Sequence, residues 1–376
     1  MGVSLFYLVA LLPIAIGAAL WYFDKEIVWW EWLIGCGTAL LLAAIFHGVS
    51  LWGMTDDTET WSSYVIKATH HPEWVEKYYV TVEHGSGKHK YTTREPRWTT
   101  HHEFWDADDQ YVSHEITQTF FEEIRRNFKN FVTEQPYKSG FDSGDRNIYV
   151  TYNKTGFIYP TTSLHHWANK VKAAPTVFTF AHVSTNIAVY AWPENPDWRI
   201  SERLLGTASV LFSQLEFDRM NARLGPTKKV NVIFVGFSDK DSTYGQYQEA
   251  KWLGGKKNDL VVAFGGMTKN HPATWVHVFG WSESFLAKRN IETLFTKYPA
   301  SPELLTLVEQ EVNARYQIKE WKKFDYITVE PPTWSYVVFF IVLTLVQGIL
   351  YFVFHTNQES KDRFGSYARS WYIKRY

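Results

Sequence analysis

The chain has 376 residues, a formal net charge of −1 and one cysteine. Near-neutral charge removes the electrostatic case for nucleic acid as a partner. The lone Cys36 excludes an intramolecular disulfide and a cysteine-ligated zinc, and an aromatic content of 18% calls for membrane belts plus an aromatic core or an adhesive surface.

Residues 4–23 carry no charge and satisfy the length of about 20 apolar residues needed to cross a bilayer. Residues 28–54 predict a second span, with Glu31 inside Trp29-Trp30-Glu31-Trp32. Such a tryptophan cluster suits the interface and places Glu31 among the headgroups; a functional intramembrane carboxylate is the alternative. His47 lies deeper. Gly35, Gly37 and Ala39 offer a small-residue face for close helix packing, with the first span as the expected neighbour. The two spans read as a hairpin around the turn Asp24-Lys25-Glu26, and the missing basic n-region argues against a cleaved signal peptide. Residues 334–355 predict a third span.

Lysine and arginine near the spans set the orientation. Lys361, Arg363, Arg369, Lys374 and Arg375 follow the third span, whereas Asp56, Asp57 and Glu59 follow the second. The 356–376 tail is therefore expected in the cytoplasm and the polar middle outside it, in the periplasm of a Gram-negative inner membrane. Lys319, Lys322 and Lys323 weaken this bias.

Between the spans, residues 78–83 and 89–94 predict a β-hairpin around His84-Gly85-Ser86-Gly87-Lys88. Residues 116–132 carry Ile116, Phe120, Phe121, Ile124, Phe128 and Phe131 on one helical stripe. Residues 147–152, 176–182 and 186–191 read as strands. Histidines crowd this half as His70-His71, His101-His102 and His165-His166. Neighbours on a strand point to opposite faces, so these pairs do not make two ligands on one side, and no H-E-x-x-H occurs. Surface or aromatic-packing histidines are the plainer reading than a metal site.

From residue 201 the pattern is regular. Residues 201–223 predict a helix stopped by Gly225-Pro226, and 230–236 a buried strand. Helix 244–253, a turn at 254–259, strands 260–264 and 275–279, and helices 285–296 and 302–324 follow. A near-continuous apolar strand implies cover on both faces, hence an α/β sandwich. The fold class is α+β: three transmembrane helices anchor a soluble domain with a β-rich first half and an α/β second half. The expected divisions are 1–54, a helical hairpin; 55–197, β-rich; 198–325, α/β; 334–355, the third span; and 356–376, the basic tail.

The run Trp252-Leu253-Gly254-Gly255-Lys256-Lys257-Asn258-Asp259-Leu260-Val261-Val262, with Val230–Gly236 before it and Trp275-Val276-His277-Val278-Phe279-Gly280-Trp281 after it, resembles the TPM domain. The likeness covers about residues 200–300. It implies a membrane-anchored α/β domain, often extracytoplasmic; some members are phosphatases and others assemble or repair membrane complexes. A second resemblance joins Asp57-Thr58-Glu59-Thr60-Trp61-Ser62-Ser63-Tyr64-Val65, His166-Trp167-Ala168-Asn169-Lys170-Val171 with Thr176-Val177-Phe178, Leu224-Gly225-Pro226 and the WLGGKKND run. In that order they resemble an uncharacterised family of membrane proteins encoded by large tailed phages, which brings no established activity. The cysteine-rich hairpin found in that family is cysteine-free here.

The TPM likeness directs attention to Asp239, Asp241, Lys256, Lys257, Asp259 and Glu283 as a ligand-binding set that could hold a divalent cation or face a phosphate. The sequence departs from the family where chemistry would sit: Glu283 falls one place early, and Asn270-His271-Pro272-Ala273 stands where the family has Asp-Arg. There is no Walker loop and no nucleophile elbow. GGKKND reads as a solvated turn or as a ligand-contacting loop, and no catalytic residue is assigned. Three functions remain open: a binding or regulatory module at the host envelope with a protein partner beside membrane lipid; a metal-dependent phosphatase-like hydrolase; and a structural component of a membrane or virion assembly. The sequence sets no oligomeric state.

Overall fold

The structure, a computed structural model, describes residues 4–19, 22, 29–85, 87, 90–134, 147–174, 187–194, 198–199 and 202–373, with the backbone alone over 357–373. The chain forms two compact units. One comprises 1–57, 167–178 and 322–376; the other comprises 58–166 and 179–321. The expected boundary near 197 separates no compact units, because the β-rich and α/β halves belong to the same one.

Helix α1 is Leu5–Ala19 and α2 is Trp29–Thr55. The predicted turn at 24–26 lies outside the described residues. Strand β1, Asp56–Tyr64, leaves α2 without a linker and pairs with the strand Pro160–Ala168. Strands β2 (Lys67–His71), β3 (Trp74–His84), β4 (Tyr91–His101), β5 (Phe104–Asp108) and β6 (Ser113–Ile116) precede helix α3 (Gln118–Phe128). Strands β7 (Val132–Glu134), β8 (Ile148–Tyr152) and β9 (Pro160–Ala168) follow. Among the described residues, β6-β5-β2-β8-β7 make an antiparallel sheet. Helix α3 lays Phe120, Phe121, Ile124 and Phe128 against it, over Ala68, Ala107 and Tyr159. The helix is shorter than predicted. Thr117 caps its start by accepting from Phe120 N at 3.3 Å, and Lys129 ends it in the left-handed region at φ 54°. Ile116 thus falls in β6, and Phe131 stays exposed.

The predicted hairpin is present and longer than expected: β3 and β4 align eleven residue pairs, from Trp74↔His101 to His84↔Tyr91. Aromatic and β-branched residues at the far ends of the strands, Trp74 and Val75 on β3 and Trp98, Thr99 and Thr100 on β4, carry the pairing well beyond the six-residue runs that the turn signal marked.

Helix α4 is Lys170–Ala173. The predicted strand 176–182 lies outside the described residues, and residues 187–191 form no strand. The expected helix 201–223 divides into strand β10 (Leu204–Gly206), helix α5 (Ala208–Leu211) and helix α6 (Gln214–Lys228). Helix α6 runs through Gly225-Pro226 instead of stopping there. Strand β11 (Asn231–Phe237), helix α7 (Thr243–Lys251), strands β12 (Asp259–Gly265) and β13 (Trp275–Phe279), and helix α8 (Phe285–Lys297) match the expected elements to within two residues. Helix α9 ends at Arg315, short of the predicted 324.

The sheet order is β10-β11-β12-β13, with the first three parallel and β13 antiparallel. Every residue of β11 and β12 is buried, because both faces are covered. Val232, Phe234, Leu260, Val262 and Phe264 meet α6, α8 and α9 on one face. Ile233, Val235, Val261 and Ala263 meet Trp252, Tyr244 and Tyr190 on the other. The crossovers β10–α6–β11 and β11–α7–β12 therefore lie on opposite faces, although the strands advance in one direction. The two connections are of opposite hand, a departure from the usual right-handed pairing.

Helix α10 is Thr333–Ile373. Among the described residues, two helices are long and apolar enough to cross a membrane, α2 and the Thr333–Thr356 part of α10. Described over fifteen residues, α1 rises about 22 Å, short of the roughly 30 Å hydrocarbon core. Phe6 and Ala10 of α1, Ala39 and Ala43 of α2, and Phe339 and Leu343 of α10 form one buried cluster. Ala39 thus packs where a small face was expected. Gly35 instead meets α10, its carbonyl accepting from Gln347 Nε2 at 3.0 Å, and a Cβ added at Gly37 would meet nothing within 4 Å among the described residues. Glu31 is only 3% exposed.

Candidate functional site

The six residues nominated from sequence do not converge. Strands β11 and β12 run parallel with Asn231 beside Asp259 and Phe237 beside Gly265. Asp239 and Asp241 follow the end of β11, whereas Lys256, Lys257 and Asp259 sit at the start of β12. The two groups are separated by the strand length, roughly 20 Å at 3.3 Å per residue. Antiparallel β13 returns Glu283 to the Asp259 end. There Glu283 is exposed and pairs with Lys319 at 3.3 Å. Asp241 accepts from the backbone N–H of Thr243 at 2.9 Å and from its hydroxyl, which ties the first turn of α7. Those bonds hold its carboxyl below the usual range.

The GGKKND turn is enclosed, contrary to the reading of a solvated or ligand-facing loop. Leu253, Gly254 and Gly255 adopt φ of 52°, 81° and 87°. Trp281 Nε1 donates to the carbonyls of Leu253 and Gly255 at 3.1 and 3.0 Å, clamping the turn. Asp259 is fully buried. Its carboxylate accepts from Lys256 N at 2.8 Å, Trp192 Nε1 at 3.0 Å and Asn231 Nδ2 at 2.8 Å. Burial pushes this carboxyl above its ordinary value, and the three donors together with the Lys256 charge oppose the rise. Asp259 is a staple of the turn; its oxygens face protein donors.

The turn also reaches the first strand. Lys256 Nζ donates to Thr58 Oγ1 at 2.8 Å and lies 4.0 Å from the centre of the Trp192 ring. Lys257 pairs with Glu59 at 2.8 Å, and Asn258 Nδ2 donates to the Thr60 carbonyl at 2.8 Å. Arg203, 1% exposed, extends the network: it donates to Ser62 Oγ at 2.5 Å, Asn231 Oδ1 at 3.2 Å and Asp218 Oδ1 at 3.1 Å. Burial lowers the Arg203 pKa while Asp218 and Asp259 raise it. A Cβ on Gly225 would collide with the Ser62 carbonyl. Thr58–Ser62, Leu224-Gly225-Pro226 and the WLGGKKND turn, distant in sequence, therefore meet in space. Arg203, Asp218 and Asn231 leave no signal in the sequence, because buried polar partners carry no local periodicity.

The histidines pair with carboxylates and stack on aromatic rings. His70 bonds Glu103 at 2.7 Å and stacks on Trp105; His71 bonds Asp106 at 2.8 Å and stacks on Phe104; His101 bonds Glu76 at 2.8 Å and stacks on Trp74. His165 stacks on Trp61 with ring centres 3.8 Å apart, and burial lowers its pKa. Among the described residues no three His, Cys, Asp or Glu side chains are grouped to hold a metal ion.

The β3–β4 ribbon presents an exposed aromatic face. Among the described residues these strands pair only with each other, over about 34 Å at 3.4 Å per residue. The pairs Lys77↔Trp98 and Tyr79↔Pro96 place Val75, Tyr79, Pro96 and Trp98 on one face. Val75, Tyr79 and Trp98 are 49%, 43% and 62% exposed. Lys77 Nζ lies 5.5 Å from the Tyr79 ring.

No family model matches the chain, and comparison with curated proteins and with solved structures returns no match.

Proposed function

We propose that this chain is a membrane-anchored binding module, and that the β3–β4 ribbon engages a protein partner. The supporting observation is the ribbon itself. A lone two-stranded hairpin is marginal in water, yet this one exposes a tryptophan, a tyrosine and a valine on one face and, among the described residues, leaves its strand edges unpaired. Exposed Trp and Tyr are the side chains that dominate binding hot spots, and a free edge can accept another strand. The hydrolase reading draws no comparable support, since its nominated carboxylates lie at opposite ends of the sheet and Asp259 is fully engaged.

In this reading α1 completes a three-helix, multi-pass anchor in a bacterial inner membrane. The unit of residues 58–166 and 179–321 faces the periplasm and the basic tail the cytoplasm. The α/β half is TPM-like, and the motif set around β1 and the GGKKND turn supports kinship with the membrane proteins of large tailed phages. The partner would then be an envelope or phage protein at the host membrane.

The test is photo-crosslinking of the full chain in a bacterial membrane, with a benzophenone side chain at Trp98. The expected result is one adduct of defined mass, absent when the probe sits at exposed Lys251. Equal, diffuse labelling from both positions would overturn the ribbon as the binding surface. Divalent-dependent phosphoester turnover that survives loss of the ribbon face would favour the hydrolase instead.

A further inference from the structure

The two edges of the β3–β4 ribbon are not equivalent. Tyr79 stands opposite Pro96, and proline has no N–H to give, so this is a non-hydrogen-bonded pair. Alternation along the strand then turns the N–H and C=O groups of Val75, Lys77, Tyr79, Thr81 and Glu83 away from β4, and none of these residues is proline. On β4 the outward positions include Pro96, which interrupts the donor row halfway along that edge. The edge that can take another strand without interruption is therefore β3, which among the described residues pairs with β4 alone.

We propose that the β3 edge pairs with the β3 edge of a second copy of this chain, antiparallel about a two-fold axis at Val80. This rests on the reading of the ribbon as a binding surface and names its partner. The charges of β3 select the register. Outward positions must meet outward positions, so the second strand can shift only in steps of two residues. Centred on Val80, Lys77 faces the partner's Glu83 and Glu76 faces the partner's His84, and the two-fold repeats each pair. No other register with this alternation sets opposite charges face to face, and centring on Glu76, Lys77 or Glu83 sets like charges together. Within one chain Glu76 bonds His101 at 2.8 Å and His84 meets Glu95 at 3.3 Å, so the weight of the register lies on Lys77 and Glu83. Glu83 meets Lys90 at 3.6 Å, with side chains 68% and 62% exposed, and an exposed pair of that kind exchanges at little cost. Tyr78 opposite Val82 and Tyr79 opposite Thr81 add aromatic–β-branched pairs. Two hairpins joined in this way form one four-stranded sheet, which has the strand count that a lone hairpin lacks.

The experiment uses the full chain in membranes, with Cys36→Ala to remove its only native thiol. Val80→Cys sets two thiols across the axis in a non-hydrogen-bonded pair, where side chains come closest. Val75→Cys sets them about 34 Å apart at 3.4 Å per residue. Oxidation with copper phenanthroline should give a disulfide-linked dimer from Val80→Cys and none from Val75→Cys. Adding Lys77→Glu should cut the yield about fivefold, because the like-charge pair occurs twice, and adding Glu83→Lys as well should restore it. Equal crosslinking from both positions, none from Val80→Cys, or a charge swap that fails to restore the yield overturns the proposal. Without any variant, native mass spectrometry of the wild type in detergent should show twice the chain mass, falling to one chain on dilution; one chain at every concentration also overturns it. The Trp98 probe judges the ribbon separately. A single adduct with a different protein keeps the ribbon and discards the second copy, whereas diffuse labelling discards both.

Discussion

Lys257 Nζ lies 2.8 Å from Glu59 Oε1, and the Glu59 side chain is 2% exposed. Glu59 Oε2 has no hydrogen-bond partner among the described residues, so Lys257 carries much of the compensation for a buried charge. Removing one member of such a pair is costlier than removing both. Lys257→Ala should destabilise the full chain by about 2 kcal/mol, less than for a fully enclosed pair because the lysine keeps contact with water. Lys257→Met with Glu59→Gln should recover most of that loss. Thermal unfolding of the full chain in detergent measures both, and additive losses would show that the pair is not coupled.

Asp259 makes a sharper case because its oxygens serve three donors. Asp259→Ala strands Lys256 N, Trp192 Nε1 and Asn231 Nδ2 and should cost about 3 kcal/mol. Asp259→Asn keeps the shape but turns an amide toward donors, and should cost less. The pH dependence has a definite sign. Burial raises the folded carboxyl above the ordinary 3.8, so between 3.8 and the folded value the native state holds more protons than the unfolded one. Stability contributed by this group therefore falls as pH rises through that window. The stability gap between wild type and Asp259→Asn should narrow across it; a gap that widens would mean the carboxyl is depressed.

Gly225 has a helical neighbourhood but no room for a side chain, since a Cβ would run into the Ser62 carbonyl. Gly225→Ala improves helix propensity by about 1 kcal/mol, yet the clash should dominate. The expected net loss is about 2 kcal/mol, in the range of overpacked cores. A melting temperature equal to or above wild type would show that β1 and α6 separate freely there.

Legibility followed how local each signal was. Strands β11, β12 and β13 fell where apolar runs and flanking breakers placed them, because burial on both faces leaves a continuous pattern in the sequence itself. Strand β10 was missed because three residues, Leu204–Gly206, are too few to interrupt a helical stripe. Gly225-Pro226 looked like a helix stop, while its glycine answers a contact with Ser62. The GGKKND turn misled for the same reason. Its composition reads as solvated, but Lys256 and Asn258 bond Thr58 and Thr60, each 198 positions away. A site built from carboxylates at both ends of one sheet could be excluded only by the strand register.

The ribbon predicts its own dynamics. Its long strands have no third strand among the described residues, and its side chains are half-buried at best. Strands β11 and β12 are buried throughout. Amides that open locally exchange from low-free-energy states, and amides in a covered sheet exchange from near-global unfolding. In hydrogen exchange on the full chain, β3 and β4 should exchange at least about a thousandfold faster than β11 and β12, as a stability difference near 4 kcal/mol would give. A bound partner strand should slow one ribbon edge selectively, because main-chain bonds form along that edge alone. Ribbon amides already as protected as β11 in the isolated chain would mean that the hairpin is covered without a partner, and the binding surface would have to be sought elsewhere.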